Sequence, residues 1–307
     1  MSSFDAYMLL NGVISGDVIA NEKLAFHTSY RIGGPADLFI RAESYTDLRK
    51  SIEVLDRHEV PWVILGKGSN VLASDEGYRG AVIRLGSEFN KFAFDEDDPY
   101  TVSCGASLSI ARIVQEAFKR GLSGLEMLVG VPGTIGGAIM MNAGSRDQWI
   151  GQVVDSVVVY RPGLGLHRYK SHEIGWAYRQ TTLAPYEIVL EVVLSLKPSD
   201  KTALRAKMEA SLSRRKKTQP LNRASCGSFF MNPPDKRVAQ LIEDAGLKGY
   251  SHGGAQVSEV HANFIVNTGK ASANDVLSVM KVVQDKVGRL YGVGLKPEVK
   301  FLGFETL

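Results

Sequence analysis

At 307 residues the chain exceeds an average single domain and points to two or three folded units. Its 44% hydrophobic and 22% charged residues exclude a disordered or fibrous class, and a core of that size needs no disulfide or metal staple. A net charge of +3 and a pI near 8.7 fall well short of a polycationic nucleic-acid binder and suit an anionic small-molecule substrate.

In chain order, residues 1–11 lack the basic region and long apolar run of a signal peptide. Ala36 to Ile40 reads as a strand, and a helix opens near Thr46 with Leu48, Ile52 and Leu55 at helical spacing before Pro61. Trp62 to Leu65 is an apolar strand running into Gly66-Lys67-Gly68-Ser69-Asn70. Ala81 to Leu85 and Tyr100 to Cys104 are further strands. A helix from about Ser107 to Arg120 places Ile110, Ile113, Val114 and Ala117 on one face. Then comes a second glycine-rich loop, Gly130-Val131-Pro132-Gly133-Thr134-Ile135-Gly136-Gly137, leading to Asn142-Ala143-Gly144. Val153 to Tyr160 and Ile188 to Leu196 read as sheet strands.

Pro198 to Thr218 is charged and helical, and Arg214-Arg215-Lys216-Lys217 complement the dipole of its last turn. The composition shift there sets the expected boundary, with one region over 1–204 and a second over 205–307. Beyond it lie a glycine-serine loop, a helix near Arg237 to Ala245 and a strand at Asn263 to Val266. A long helix from about Ala273 to Tyr291 is expected to bury Val276, Val279, Met280, Val283, Val287 and Leu290, and a final strand contains Glu298. Strands and helices alternate irregularly, so α+β is expected rather than a doubly wound sheet. No stretch approaches about 18 consecutive apolar residues, so no membrane insertion is expected and the cytoplasm is the expected setting.

Neither glycine loop is a dinucleotide fingerprint or a Walker A loop, because Val71 stands at the third glycine position of the first and no G-K-S/T ending follows Gly133. Each presents backbone N–H groups without side-chain cover, as concave anion sites do, although glycine clusters taken singly are usually turns. Tyr178-Arg179 by itself reads as a surface arginine, Ser228 as a turn serine and Glu298 as a solvated carboxylate between lysines. Cys226 beside Ser228 has no evident paired base and reads as packing. No G-x-S-x-G elbow surrounds Ser228, which disfavours a hydrolase. The six histidines show no metal spacing, so no metal is expected, and no nucleic-acid reader motif is present.

Taken together, the two loops carry a pattern. Gly66-Lys67-Gly68-Ser69-Asn70 with Val131-Pro132-Gly133-Thr134-Ile135-Gly136-Gly137-Ala138, closing on Asn142-Ala143-Gly144, resembles the UDP-N-acetylenolpyruvoylglucosamine reductase (MurB) family. Thr28-Ser29-Tyr30-Arg31-Ile32-Gly33-Gly34-Pro35-Ala36 is similar to the family's opening segment. The likeness continues through Tyr178-Arg179, Gly227-Ser228-Phe229-Phe230, Asn263-Phe264-Ile265-Val266-Asn267 and Pro297-Glu298-Val299, in the family's order. The short segment from Arg179 to Glu187 matches the family's shorter, second type.

The resemblance implies a two-lobed FAD-binding domain of the vanillyl-alcohol-oxidase-like (PCMH) type over about 30–197, followed by a smaller α+β substrate domain. It implies non-covalent FAD, NADPH as co-substrate, and a UDP-sugar bearing an enolpyruvyl ether as substrate. Gly66, Lys67, Gly68, Ser69, Asn70, Val131, Pro132, Gly133, Thr134, Gly136, Gly137, Asn142 and Gly144 would bind the cofactor. Arg179, Ser228 and Glu298 would be catalytic: Ser228 as proton donor, Arg179 and Glu298 at the enolpyruvyl carboxylate. Tyr178, Arg214, Asn232 and Asn263 would contact the substrate. Met231 departs from the lysine often found there, and Arg214, Arg215 or Lys217 would supply charge instead. The alternative reading is another FAD-linked oxidoreductase of the same flavin fold.

Overall fold

Leu48, Ile52 and Leu55 line the buried face of helix Tyr45–Arg57, and Ser44 caps its start by accepting the Asp47 N–H at 3.1 Å. In the computed structural model, which describes residues 3–145 and 147–305, this helix belongs to the first of two units. That unit comprises the chain up to Ile19, Leu38–Gly66 and Ala81–Arg214. The second comprises Ala20–Asp37, Lys67–Gly80 and the chain from Arg215 onward. The division falls between Arg214 and Arg215, with two early stretches of chain in the second unit. Their cause is burial: Tyr30, Ile32 and Leu72 belong to the core of the second unit.

The first unit holds two cores. In one, the helix above packs on Leu38, Ile40, Ala81 and Ile83. The strands there run in the order Val18–Lys23, Pro35–Ala42, Tyr78–Leu85, Trp62–Ile64, the last pair being parallel. The other core lies on an antiparallel sheet ordered Gly165–Lys170, Val154–Arg161, Ile188–Ser195, Thr101–Gly105, Phe92–Phe94. Val157, Val159, Val192 and Leu194 are buried from it together with Ile113 and Val114 of helix Ile110–Lys119 and Ile135 and Ile139 of helix Ile135–Met140. Full burial of each such side chain contributes roughly 1.5–3 kcal/mol.

In the second unit, helix Ala273–Tyr291 crosses the three-stranded sheet Ser251–His252, Ala255–Val257, Ile265–Asn267. Val276, Val279, Val283 and Val287 are buried as the periodicity requires and Met280 is half-buried, but Leu290, on the same stripe, is 56% exposed in the last turn before Gly292 ends the helix at φ +65°. Ser272 and Asp275 form a capping box, and Asp75 adds a tertiary cap by accepting the N–H groups of Ala273 (2.8 Å) and Asn274 (3.1 Å). The final strand is Lys300–Leu302, paired in parallel with Val71–Ala73. Glu298 lies just before it, because its N–H is spent on the Phe229 carbonyl instead. Helix and sheet segregate without a βαβ rhythm, so the fold is α+β as expected.

Candidate active site

Thr134 of the second glycine loop lies against Gly66, the head of the first, within the first unit. This residue caps helix Ile135–Met140, its Oγ1 accepting the Gly137 N–H at 3.3 Å, and a Cβ built on Gly66 would lie 2.8 Å from the same oxygen. Gly68 sits at φ +60°, where a Cβ would lie 2.3 Å from the His27 carbonyl oxygen. Packing of this kind accounts for Gly66 and Gly68 without any ligand. At Gly136 a Cβ would lie 3.0 Å from that of Ala106.

Gly137 is different. It is exposed, and a Cβ there would meet only Thr134 Oγ1 at 3.4 Å. Protein packing does not require a glycine at this position, whereas a flat group lying against the first helical turn does. The residues present therefore fit a flavin. The amides beside it are less available than the sequence implies: Ile135 donates to the Leu108 carbonyl (2.9 Å) and Gly136 to that of Ala106 (2.8 Å). Of the other loop residues, Gly133 and Thr134 are buried, Pro132 and Lys67 exposed, and Val131 and Ser69 half-buried. Asn70 Nδ2 donates to the Glu298 carbonyl at 3.1 Å, so the first loop also fixes a catalytic candidate.

Ser228 and Glu298 are brought together within the second unit. The Glu298 N–H donates to the Phe229 carbonyl at 2.8 Å, and Phe230 bridges to Pro297. Both residues are half-buried. Asn263, buried, takes the Phe230 N–H on Oδ1 (3.0 Å) and gives Nδ2 to the Phe230 carbonyl (2.8 Å). Its side chain thus holds the Ser228 segment, a role its sequence context does not disclose. Cys226 is buried, and burial pushes its thiol well above the usual range, with the Glu298 charge adding to the effect. A thiol held neutral in this way is packing, as the sequence suggests.

Arg179 lies in the first unit, in a hairpin that the sequence reading does not foresee. Trp176–Ala177 pairs with Gln180–Thr181, and Tyr178 and Arg179 are the two loop residues. Arg179 has φ +60°, a left-handed conformation that costs a non-glycine residue of order 1–3 kcal/mol and persists only where the surroundings enforce it. Its guanidinium donates to the Gly144 carbonyl at 2.8 Å and lies 5.4 Å from the Tyr178 ring centroid. Asn142 donates Nδ2 to the Ala177 carbonyl (2.9 Å) and accepts the Gly151 N–H (3.2 Å). Gly144 is required by packing, since a Cβ would lie 2.2 Å from the Gln148 carbonyl oxygen. Asn142 and Gly144 therefore serve the arginine hairpin directly.

Of the remaining substrate candidates, Arg214 is exposed near the end of helix Lys201–Thr218. Asn232 spends Oδ1 on the Val238 N–H (2.9 Å) at the start of helix Val238–Asp244. The Met231 N–H donates to the Lys296 carbonyl at 2.9 Å. Among the described residues no group of three or more His, Cys, Asp or Glu side chains could hold a metal ion, and no helix is long and apolar enough to cross a membrane.

Comparison with known proteins shows the family. Residues 36–161 match the FAD binding domain family, and residues 219–302 match the C-terminal domain of UDP-N-acetylenolpyruvoylglucosamine reductase. The chain is 44% identical over 290 residues to UDP-N-acetylenolpyruvoylglucosamine reductase 2 of Symbiobacterium thermophilum, spanning 94% of this chain and 93% of that protein. It is 37% identical over 291 residues to the enzyme of that name from Bacillus subtilis, covering 94% and 95%. The crystal structure of UDP-N-acetylenolpyruvylglucosamine reductase (MurB) from Thermus caldophilus superposes with a TM-score of 0.81 at 36% identity, covering 94% of this chain and 99% of that one. The chain belongs to the UDP-N-acetylenolpyruvoylglucosamine reductase family.

Proposed function

We propose that this protein reduces UDP-N-acetylglucosamine-enolpyruvate to UDP-N-acetylmuramate with NADPH, through non-covalent FAD, in peptidoglycan precursor synthesis. The observation that carries the reading is the hydrogen-bonded pairing of the Ser228 and Glu298 segments, in a chain of this family. FAD, when bound, would supply the redox chemistry that links NADPH oxidation to reduction of the enolpyruvyl group. The two glycine loops hold it, with Gly137 as the bare face.

Ser228 donates its hydroxyl proton to the neighbouring carbon and regains one from water. A hydroxyl is a weak acid, yet the carbon left electron-rich by hydride addition is a far stronger base. Arg179 takes the substrate carboxylate in its planar fork, where each charged hydrogen bond contributes roughly 1.5–3 kcal/mol. Glu298 assists at the same group. Only the part of these contacts that strengthens as negative charge grows accelerates the reaction. Tyr178, Arg214 and Asn232, the last through Nδ2, contact the sugar nucleotide. Asn263 acts through the segment that it holds. The cytoplasm, where nucleotide substrates are at hand, is the setting this reading assigns.

The test is flavin-loaded protein mixed with NADPH, with and without the enolpyruvyl substrate. NADPH oxidation should require that substrate, and acid precipitation should leave yellow FAD in the supernatant. NADPH consumption indifferent to the substrate would point to another FAD-linked oxidoreductase.

A further inference from the structure

The geometry points to a positioning residue: we propose that Asn142 sets the Arg179 hairpin on the helix of the second glycine loop. The inference rests on the reading of Arg179 as the carboxylate-binding arginine. Two-residue strands cannot hold a hairpin by themselves, and Arg179 is in a left-handed conformation that something must enforce.

The enforcing contacts converge on Asn142. It follows helix Ile135–Met140 by two residues, is 3% exposed, and itself adopts φ +40°, a conformation that asparagine tolerates better than most side chains. Its amide is used at both ends. Nδ2 reaches the Ala177 carbonyl, the strand residue directly before the Tyr178-Arg179 loop, and Oδ1 takes the N–H of Gly151. Gly151 is in turn the floor under the hairpin's Trp176, because a Cβ there would lie 2.4 Å from that ring. The Trp176 indole N–H donates to the Ser171 carbonyl at 3.0 Å, which closes the far side. The Arg179 guanidinium then returns to Gly144, two residues beyond Asn142. One buried amide therefore ties the base of the hairpin to the helix end, and the guanidinium rests on the same short segment.

The donor end is the informative one. Asn142→Asp keeps the size, the tolerance for positive φ and the acceptor for Gly151, but turns a carboxylate oxygen toward the Ala177 carbonyl. The hairpin is then pushed off its seat. A displacement of about 1 Å at a positioning group can cost on the order of 100-fold in rate.

The experiment is a double-substitution cycle of Asn142→Asp with Arg179→Lys, read by reoxidation of the NADPH-reduced, flavin-loaded enzyme on mixing with UDP-N-acetylglucosamine-enolpyruvate. Amide hydrogen exchange over residues 177–181 is measured alongside. Asn142→Asp should slow reoxidation by about 10–100-fold and raise exchange in the hairpin. The double variant should be no slower than the slower single one, because both act through one guanidinium. Multiplying effects would overturn the inference, as would unchanged hairpin exchange. If Arg179→Lys alone reoxidises at the wild-type rate, the reading of Arg179 fails, and exchange still decides whether Asn142 seats the hairpin. Asn142→Gly, which accepts the φ and removes both arms, repeats the test should the aspartate variant not fold.

Discussion

Asn263 holds both backbone polar groups of Phe230, accepting its N–H at 3.0 Å and donating to its carbonyl at 2.8 Å. All four atoms are buried, so Asn263→Ala leaves an N–H and a carbonyl without partners two residues after Ser228. Each buried orphan costs about 1–3 kcal/mol, which predicts a loss of roughly 2–4 kcal/mol in urea unfolding. A change below about 0.5 kcal/mol would mean that the segment finds other partners.

Ser228→Ala should spare reduction by NADPH, since the hydroxyl is assigned only to protonating substrate carbon. Reoxidation of the reduced enzyme by the enolpyruvyl substrate should slow by about 10²–10⁴-fold, the loss expected for a general acid. Stopped-flow recovery of the oxidised-flavin band measures it. Recovery at the wild-type rate, with product formed, would leave Ser228 as a turn residue.

Gly136 and Gly137 should separate. A Cβ at Gly136 crowds Ala106 at 3.0 Å, so Gly136→Val overpacks the interior and costs about 1–3 kcal/mol. At Gly137 the added group meets little but Thr134, so Gly137→Val should melt close to wild type yet purify without yellow colour. Full flavin occupancy in a folded Gly137→Val protein would remove the second loop from the cofactor site.

The N–H groups of Ser272 and Gly254 hold the Asp275 carboxyl below its ordinary value of 3.8. A depressed carboxylate contributes stability that is complete above the unfolded value and is lost as pH falls through the folded one. Asp275→Asn should therefore melt lower than wild type at pH 6, by about 1 kcal/mol for a weakened cap, and the gap should narrow as pH falls below 3.8. Melting curves that stay parallel down to pH 3 would show that this charge is not linked to folding.

Long elements and the glycine loops are legible in the sequence because their signals are local. Helix Ala273–Tyr291 carries its own periodicity, cap and stop, and of the positions it is expected to bury Leu290 is exposed and Met280 half-buried. The hairpin at Trp176–Thr181 is not legible, since two-residue strands have no period to detect. The same holds for three asparagines that hold the segments of the candidate residues. Asn142, Asn263 and Asn70 bond to partners 35, 33 and 228 residues away, so nothing beside them in the chain announces those roles. The family likeness supplies the catalytic candidates, and the tertiary amide contacts that hold them emerge only from the fold.

The second unit's dependence on two early stretches of chain has a consequence during synthesis. Tyr30 donates its hydroxyl to the Ile265 carbonyl across 235 residues, and Val71–Ala73 must wait for Lys300–Leu302. At about 5–20 residues per second, Tyr30 leaves the ribosome roughly 12–50 s before its partner exists. Its ring and the neighbouring Ile32 and Leu72 are exposed or only transiently covered for that interval. The second unit is thus completed last, and a fragment beginning at Arg215 would lack the Asp75 cap, the parallel strand and three of its own core side chains.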